Sequence, residues 1–396
     1  MTETHPDTAE VPHANDASAA GHPHSLRPQE YDAILLASFG GPEGQEDVIP
    51  FLRNVTRGRG IPDARLEEVA QHYRHFGGVS PINEHNRQLR EALVQELHSR
   101  GMTLPVYWGN RNWDPYMEDA VQEAAANGHN RLLAVATSAY SSYSSCRQYR
   151  EDFARALINT GLAGVVRIDK VRQFFDAPGF VQPFAEGLAA ALREFAAEGF
   201  APEEIRVLFC THSIPTADAE RSGPGDQHFG EGGAYAAQHL AVGAKIMEQL
   251  AAESAAQPGT AWELVYQSRS GPPTQPWLEP DVCDSIAELP DQGVKAVALV
   301  PLGFLSDHME VLWDLDNEAM EAAEEAGLRA ARTPTPGIHP TFVAGLVDLI
   351  QERIQAVVAQ ERPRLTRLGP WYDVCRPGCC ENVRLGFRPA AAGVAP

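Results

Sequence analysis

Short apolar runs that alternate with longer segments of helical periodicity constrain this chain most. A turn with Gly, Pro or Ser follows each run before the next helical segment begins. The runs are AILLASF (33–39), PVYWGN (105–110), LLAVATS (132–138), VVRID (165–169), IRVLFC (205–210), LVYQS (264–268) and AVALVPL (296–302). Strands that alternate with helices predict an α/β fold with mostly parallel sheets.

The two halves of the chain repeat one order of elements. In the first half, VYWGNR leads through Trp113 and Pro115 to a helical segment and then to RLLAVATS. In the second half, VYQSRS leads through Pro276 and Trp277 to a helical segment and then to VKAVALVPL. We interpret this order as an internal duplication, although any α/β fold shows a similar alternation of strands and helices. A ligand then binds between the halves, outside the carboxyl ends of the strands.

The beginning of the chain differs in composition from the rest. Residues 1–28 have almost no large apolar side chain, so we predict a disordered tail. Loose metal binding by its histidines is a weaker interpretation than a solvated tail; these are His5, His13, His22 and His24. We divide the chain into this tail, a first half, a second half and a cysteine-containing tail: 1–28, 29–195, 196–360 and 361–396.

Charge and hydropathy exclude several classes of protein. A formal net charge of −21 repels phosphate backbones, so the charge favours a cation over a nucleic acid as the ligand. No run approaches the roughly 18 apolar residues that a membrane span needs, and the first residues lack the apolar centre of a signal peptide. We therefore expect a cytoplasmic protein without a membrane span, and the missing export signal disfavours a periplasmic-type binding module.

The acidic stretch SDHMEVLWDLDNEAMEAAEE, which follows the run AVALVPLGF, is the most informative segment. On an ideal helix, four of its carboxylates share one face: Asp307, Glu310, Asp314 and Glu318. The stretch contains no Lys or Arg to neutralise them, although like charges four residues apart destabilise a helix. Oxygen ligands in a row suit a path for a divalent cation, and the alternative is a solvated acidic face. His308 and the position after a strand favour the metal path.

A histidine follows another apolar run. FCTHSIP places His212 directly after the run, between Thr211 and Ser213. An imidazole accepts a proton or binds a metal near neutral pH. A lone loop histidine more often serves as a cap or a hydrogen-bonding group, but the acidic stretch is expected to face this one.

Two kinds of loop suit a flat ligand. SFGGP (38–42) and FGGVSP (76–81) allow close backbone approach, but neither has the glycine spacing of a nucleotide site. The segment SAYSSYSSCRQYRED combines hydroxyls with aromatic and cationic side chains, which suits an apolar face with carboxylate arms. Its aromatic and cationic members are Tyr140, Tyr143, Arg147, Tyr149 and Arg150.

The cysteines form one local group and three single positions. CRPGCC near the C-terminus contains Cys375, Cys379 and Cys380. Four thiolates bind either a [2Fe–2S] cluster or a structural zinc, and Cys146 in the hydroxyl-rich loop is the natural fourth ligand. The remaining two are most simply core residues: Cys210 and Cys283.

Together these segments resemble the ferrochelatases. The matching pieces are SFGGP, FGGVSPI, QYRED, FCTHSIP, YQSRSGPPTQPWLEPD and PLGFLSDHMEVLWDLDNE, in the order of the family and over roughly residues 31–340. The resemblance implies two Rossmann-like halves with a porphyrin cleft between them, and insertion of Fe²⁺ into the porphyrin. It makes His212 and Glu310 the catalytic and metal-site pair, with Asp314 and Glu318 as the acidic path that leads to it.

The resemblance also implies porphyrin contacts. Ser80 and Tyr149 match family positions that bind the porphyrin, and Tyr73 lies close to another. Some bacterial relatives carry a Tyr in the first strand-end loop that ligates iron in the product, whereas this chain has Phe39. The implied role of Phe39 is therefore packing against the macrocycle.

The cysteine tail resembles that of ferrochelatases that carry a [2Fe–2S] cluster. Its Cys-x3-Cys-Cys spacing differs from the wider animal pattern, and zinc is the alternative. The resemblance assigns the cluster to Cys146, Cys375, Cys379 and Cys380.

The Ala- and Arg-rich composition and the tail resemble actinobacterial members of the family. This implies coproporphyrin III as the substrate and iron coproporphyrin III as the product in haem biosynthesis, with protoporphyrin IX giving protohaem as the alternative. It also implies transient contact with neighbouring enzymes of the haem pathway.

Two rival functions remain on the same fold. A chelatase for cobalt or nickel tends to use more histidines at the metal site than this chain offers. A non-catalytic haem or iron–sulfur sensor does not need both His212 and Glu310.

Overall fold

The computed structural model describes residues 24–25, 27–58, 60–253, 259–271, 274–376, 378–381, 386 and 388–393. Within these ranges the chain forms two parallel four-stranded sheets, one in each half. The first contains β1 (Ala33–Ser38), β2 (Val106–Asn110), β3 (Arg131–Ala136) and β4 (Arg167–Lys170). The second contains β5 (Ile205–His212), β6 (Ala261–Gln267), β7 (Ala296–Val300) and β8 (Arg329–Arg332). The predicted α/β fold with a Rossmann-like sheet in each half is confirmed.

Helices connect the strands and cover the sheets. They are α1 (Val48–Val55), α2 (Asp63–His75), α3 (Ile82–Ser99), α4 (Met117–Ala126), α5 (Gln148–Asn159), α6 (Pro178–Glu198), α7 (Thr216–Glu220), α8 (Gly233–Ala252), α9 (Val282–Glu288), α10 (Met309–Val311), α11 (Met320–Glu325) and α12 (Pro340–Gln355). Two further segments are π-helical: Tyr143–Arg147 and Leu312–Ala319.

The inner strands β1 and β7 are apolar along their length because both faces of each sheet are covered. In β1, Ile34 and Leu36 belong to one buried cluster, whereas Ala33 and Leu35 belong to another on the opposite face. Parallel sheets in α/β proteins have this arrangement, which explains why the strand runs do not alternate between apolar and polar residues.

The internal duplication is visible in the strand order. The first sheet has the order β2-β1-β3-β4 and the second has β6-β5-β7-β8, so each strand has an equivalent in the other half. The loops after β2 and β6 also correspond, since Asn110 pairs with Tyr116 and Tyr266 pairs with Asp281 in matching parallel bridges. The Trp/Pro loops follow β2 and β6, and the helices α4 and α9 follow these loops, as the sequence repeat predicted.

Strand β8 was missed by the sequence interpretation. Its sequence RAAR contains no large apolar residue, and all four residues are partly exposed because β8 is the last strand of its sheet. Its register is set by pairing with β7, in which Ala298 lies opposite Ala331. An edge strand of this kind is specified by its neighbour rather than by its own hydrophobicity.

The two halves share one core at α6 and α12. This core includes Ile34 and Leu36 of β1 together with Val207 and Phe209 of β5. Helix α12 packs against α6 and also against α3 of the first half. At the crossing of α6 and α12, a Cβ atom on Gly345 would lie 2.8 Å from the Cα of Gly179, so glycine is required for the two backbones to approach this closely.

The chain beginning lies mostly outside the described residues, including the positions of His5, His13 and His22. His24 lies against the C-terminal segment, with its Nδ1 3.8 Å from Asp373 Oδ2 and its ring 5.8 Å from that of Tyr372. The division into four parts remains a prediction.

Candidate active site

The carboxyl ends of β5 and β7, which are neighbouring strands, bring together a histidine and a glutamate. His212 is the last residue of β5, and Glu310 lies in α10, which follows the loop after β7. His212 Nε2 lies 3.6 Å from Glu310 Oε2. His212 Nδ1 contacts the carbonyl oxygen of Ser213, which can only accept, so Nδ1 carries a proton and Nε2 faces the carboxylate.

Each member of this pair sets the charge of the other. Burial opposes protonation of His212, but Glu310 outweighs burial, with smaller contributions from the Ser213 carbonyl and Asp314, and the pKa of His212 rises above its usual value. Burial likewise opposes ionisation of Glu310, and the charge of His212 outweighs it, so the pKa of Glu310 falls. The side chains are 32% and 49% exposed, so this ion pair is open to an incoming cation.

Asp314 lies beside the pair and is held by the end of β6. Gln267 Nε2 donates to Asp314 Oδ2 at 3.2 Å and to the Glu310 carbonyl oxygen at 3.0 Å. Ser268 donates its hydroxyl to the same Asp314 oxygen, from a left-handed backbone with φ of 62° that is uncommon for a residue other than glycine. Burial and Glu310 raise the pKa of Asp314 to about 7 despite the Ser268 hydrogen bond. Asp314 can therefore take up or release a proton near neutral pH.

The acidic stretch differs from the ideal helix that the sequence predicted. Asp307 precedes α10, and Leu312–Ala319 is π-helical, so the assumed angle between successive residues does not hold. Arg332 lies 3.1 Å from Asp307 and also pairs with Asp316. The prediction of one line of four unneutralised carboxylates was therefore wrong at Asp307, because its cation comes from β8, the strand that the sequence did not reveal.

Glu318 marks the outer end of the acidic stretch, next to a contact between the two halves. Trp313 Nε1 donates to Glu318 Oε1 at 2.8 Å. The Trp313 ring stacks on His72 of α2, with ring centroids 4.0 Å apart and planes 6° apart, and His75 meets its edge. The tryptophan within an acidic helix was a visible signal for this contact, but its partner on α2 could not be read from the sequence.

An aromatic group from the first half lies opposite the carboxylates. Phe51 packs against Tyr73 at 5.9 Å and against Phe39 at 6.4 Å between ring centroids, and Met309 of α10 belongs to the same apolar cluster. Burial raises the pKa of Tyr73, and Glu310 and Asp314 add to the rise, which places the phenol in the electrostatic field of the metal-site candidates. Phe39 follows β1 and remains 36% exposed, so its ring is available to a ligand.

The other predicted porphyrin contacts are more deeply buried. Ser80 is 4% exposed and its N–H donates to the Pro42 carbonyl, which joins the two Gly-rich loops. Tyr149 is 3% exposed, and the guanidinium of Arg111 lies 4.1 Å above its ring and 6.0 Å from that of Phe39. Sequence reasoning missed Arg111, although its position directly after β2 was a signal.

The four predicted cluster cysteines come together in a separate buried group. Cys146 Sγ lies 3.8 Å from Cys375 Sγ, and Cys379 Sγ lies 3.9 Å from Cys380 Sγ. All four are 2% exposed or less and form one apolar cluster of their own. Arg150 lies beside the thiols, with its Nε bound to the Ala391 carbonyl, and all four sulfurs raise its pKa against the effect of burial. Arg150 thus faces the cysteines, and Arg147 pairs with Glu151.

Two features are absent from the described part of the chain. No helix there is long and apolar enough to cross a bilayer. No group of three or more His, Cys, Asp or Glu side chains there is arranged to hold a metal ion.

Residues 31–354 match the ferrochelatase family. This chain belongs to that family. A coproporphyrin III ferrochelatase of Leifsonia xyli subsp. xyli is 66% identical over 392 residues, which cover 97% of this chain and 99% of the relative. A coproporphyrin III ferrochelatase of Tropheryma whipplei is 56% identical over 380 residues, 96% of each chain. Among solved structures, SirB from Bacillus subtilis with Fe³⁺ has a TM-score of 0.46 and 12% identity, covering 85% of this ferrochelatase and 100% of SirB.

Replacement of Glu310 by Gln tests the charge pairing in this ferrochelatase. Glu310 is the largest contribution that raises the pKa of His212, so in E310Q burial dominates and the pKa falls towards or below the usual 6.5. A titration of the His212 ring nitrogens by ¹⁵N NMR measures it. Glu325 of α11 is exposed, and E325Q is the matched control with an unchanged His212. An unshifted His212 in E310Q contradicts the pairing.

Proposed function

We propose that this chain inserts Fe²⁺ into coproporphyrin III and releases iron coproporphyrin III, as a step of haem biosynthesis. The observation that carries the proposal is the His212–Glu310 pair, 3.6 Å apart and open to solvent, opposite an aromatic group that contains Tyr73. Membership of the ferrochelatase family and the two coproporphyrin III ferrochelatases that match nearly the whole chain support it.

Metallation exchanges two protons for one cation. Two pyrrole N–H bonds break, four Fe–N bonds form, and two protons leave, so the charge balances and no electron is transferred. The site therefore needs a group that releases Fe²⁺ and a group that accepts protons. We assign both tasks to His212 and Glu310 acting together.

The pairing suggests how these two tasks are coupled. While Glu310 is free it holds His212 as an imidazolium, which cannot accept a proton. A cation bound by Glu310 competes for the carboxylate and so lowers the pKa of His212. His212 then loses its proton, and neutral Nε2 becomes a base for a pyrrole N–H when iron is present. Asp314, whose pKa is raised to about 7, passes protons onward.

The remaining assignments follow the acidic stretch and the aromatic group. Glu318 at the outer end and Asp314 at the inner end form the secondary acidic path for the cation, because both contribute to one electrostatic field near Glu310. We assign porphyrin binding to four residues of the first half: Phe39, Tyr73, Ser80 and Tyr149. We place the reaction in the cytoplasm, in transient contact with the next enzymes of the pathway.

Anaerobic turnover of the two porphyrins tests the function. Purified protein is incubated with Fe²⁺ and either coproporphyrin III or protoporphyrin IX, and the loss of free porphyrin absorbance is followed. We expect turnover of coproporphyrin III, and a loss of at least about a hundredfold in kcat for Glu310→Ala, because a positioned proton acceptor contributes about that factor. Glu325→Ala, which removes an exposed carboxylate of α11, should retain full activity.

Each other outcome of this assay has a distinct meaning. Turnover of protoporphyrin IX alone contradicts the substrate. Full activity of Glu310→Ala contradicts the site, and no turnover of either porphyrin by the wild type favours the sensor function.

We further propose that Cys146, Cys375, Cys379 and Cys380 hold a [2Fe–2S] cluster. Their two close Sγ pairs suit a group in which each iron takes two thiolates. In the described part of the chain no three of these side chains are arranged around a single metal ion, so the pairs are the feature that supports the proposal. When bound, such a cluster supplies a reducible pair of irons. It carries net negative charge, and the buried cations of Arg150 and Lys170 both act on the thiols electrostatically.

Chemical analysis of protein purified without oxygen tests this second proposal. We expect about two irons and two acid-labile sulfides per chain. Replacement of Cys146 or Cys379 by Ala should abolish both, whereas Cys283→Ala, which changes a cysteine outside the group, should not. Zinc without sulfide contradicts the cluster and supports a structural zinc.

A further inference from the structure

Tyr235 lies directly behind His212 and is almost fully buried, at 6% exposure. It belongs to the first turn of α8, and its hydroxyl donates to the backbone carbonyl of His212 at 2.9 Å. The same hydroxyl oxygen lies 2.8 Å from Thr211 Oγ1. The phenol thus fixes the last two residues of β5, and the second of these, His212, carries the imidazole.

The direction of the hydrogen bonds around Tyr235 is determined by a buried histidine. His239 Nδ1 lies 2.7 Å from the Tyr235 carbonyl, which can only accept, so Nδ1 carries the proton. Burial lowers the pKa of His239 to about 3, so the ring is neutral and its Nε2 accepts from Thr211 at 3.0 Å. The Thr211 hydroxyl therefore donates its proton to His239 Nε2. The Tyr235 hydroxyl can donate its proton to the His212 carbonyl or to Thr211 Oγ1.

The backbone of Tyr235 is connected to the cysteine-containing tail. Ser222 Oγ accepts from the Tyr235 N–H at 2.8 Å. The next residue, Gly223, donates its N–H to Cys380 Sγ at 3.2 Å, and its carbonyl accepts from the Cys380 N–H at 3.2 Å. Gly223 has a φ of +84°, and a Cβ there would lie 2.8 Å from Ala234 Cβ, so the segment has little room to shift.

We propose that Tyr235 is a positioning residue for His212, and that Ser222 and Gly223 connect it to Cys380. A change at Cys380 then alters how firmly His212 is held. The inference rests on the proposed function, since it takes His212 as a catalytic residue and the four cysteines as a ligand site. A contiguous set of hydrogen bonds is a path for coupling only if changes at its two ends are non-additive.

Tyr235→Phe tests the positioning role. It removes one buried hydrogen bond to the His212 carbonyl, and we expect kcat to fall about tenfold with the porphyrin Kd, from fluorescence quenching, unchanged. The matched control is Tyr107→Phe, which removes a hydroxyl that also has two partners, His129 and Asn127. Tyr107→Phe should keep full activity while it loses about as much thermal stability as Tyr235→Phe. A kcat of Tyr235→Phe equal to the control overturns the role.

Amide hydrogen exchange of residues 211–214 provides a readout that does not depend on turnover. We expect about tenfold faster exchange in Tyr235→Phe and also in Ser222→Ala, which frees the Tyr235 N–H without touching the phenol. Exchange equal to that of the wild type in both variants overturns the proposal.

A double-mutant cycle tests the connection to the tail. Cys380→Ala alone should speed exchange at residues 211–214. The double variant Cys380→Ala, Tyr235→Phe should exchange little faster than Tyr235→Phe. Additive effects overturn the connection. Failure of the cluster proposal is distinguishable, because iron and sulfide are then absent from the wild type. The exchange effect of Cys380→Ala persists in that case, because the variant still loses the hydrogen bond from the Gly223 N–H to Cys380 Sγ.

Discussion

The attraction between His212 and Glu310 is the interaction on which the rest of the site depends. Each group favours the charged form of the other, since Glu310 raises the pKa of His212 and His212 lowers the pKa of Glu310 against the effect of burial. The surroundings support this pair rather than compete with it. Gln267 and Ser268 engage Asp314 and the Glu310 carbonyl, which leaves the Glu310 carboxylate to face the imidazole. A cation entering here meets a carboxylate whose counter-charge can leave as a proton.

Because the two halves are duplicated, equivalent positions can be compared across the cleft, and these positions carry different side chains. The matching bridges make Tyr266 the equivalent of Asn110. The strand registers pair Asn110 with Ser38 and Tyr266 with Thr211, so Thr211 is the equivalent of Ser38 and His212 is the equivalent of Phe39. In the first half, Ser38 and Asn110 bond to each other, and the exposed ring of Phe39 follows. In the second half, the position of Phe39 carries His212, a metal-site candidate, and Glu310 lies 3.6 Å from it. One half therefore presents an apolar wall and the other presents charge, which suits a flat apolar ligand that must meet a cation on one side.

The sequence predicted those features that depend on local pattern. Apolar runs located seven of the eight strands in the described part of the chain. Strand-end placement indicated His212 and the acidic stretch, and the family resemblance then singled out Glu310 within that stretch. Features that depend on contacts between distant segments were not predictable. Arg332 neutralises Asp307 from an edge strand without an apolar run, and Trp313 stacks on His72 from the other half. The contact of Tyr235 was also not predictable. Its hydroxyl donates to the backbone carbonyl of His212, and such a contact gives no pattern of charged residues in the sequence.

The most direct test of the account is the position of iron in crystals of the wild type, soaked with Fe²⁺ without oxygen and measured at the iron absorption edge. If this pair delivers the metal, an anomalous peak appears at the Glu310 carboxylate and within reach of His212 Nε2, and the peak is lost in Glu310→Gln. Iron bound only along the outer acidic stretch at Glu318, or a peak beside His212 that persists in Glu310→Gln, would contradict the claim that this pair delivers the metal.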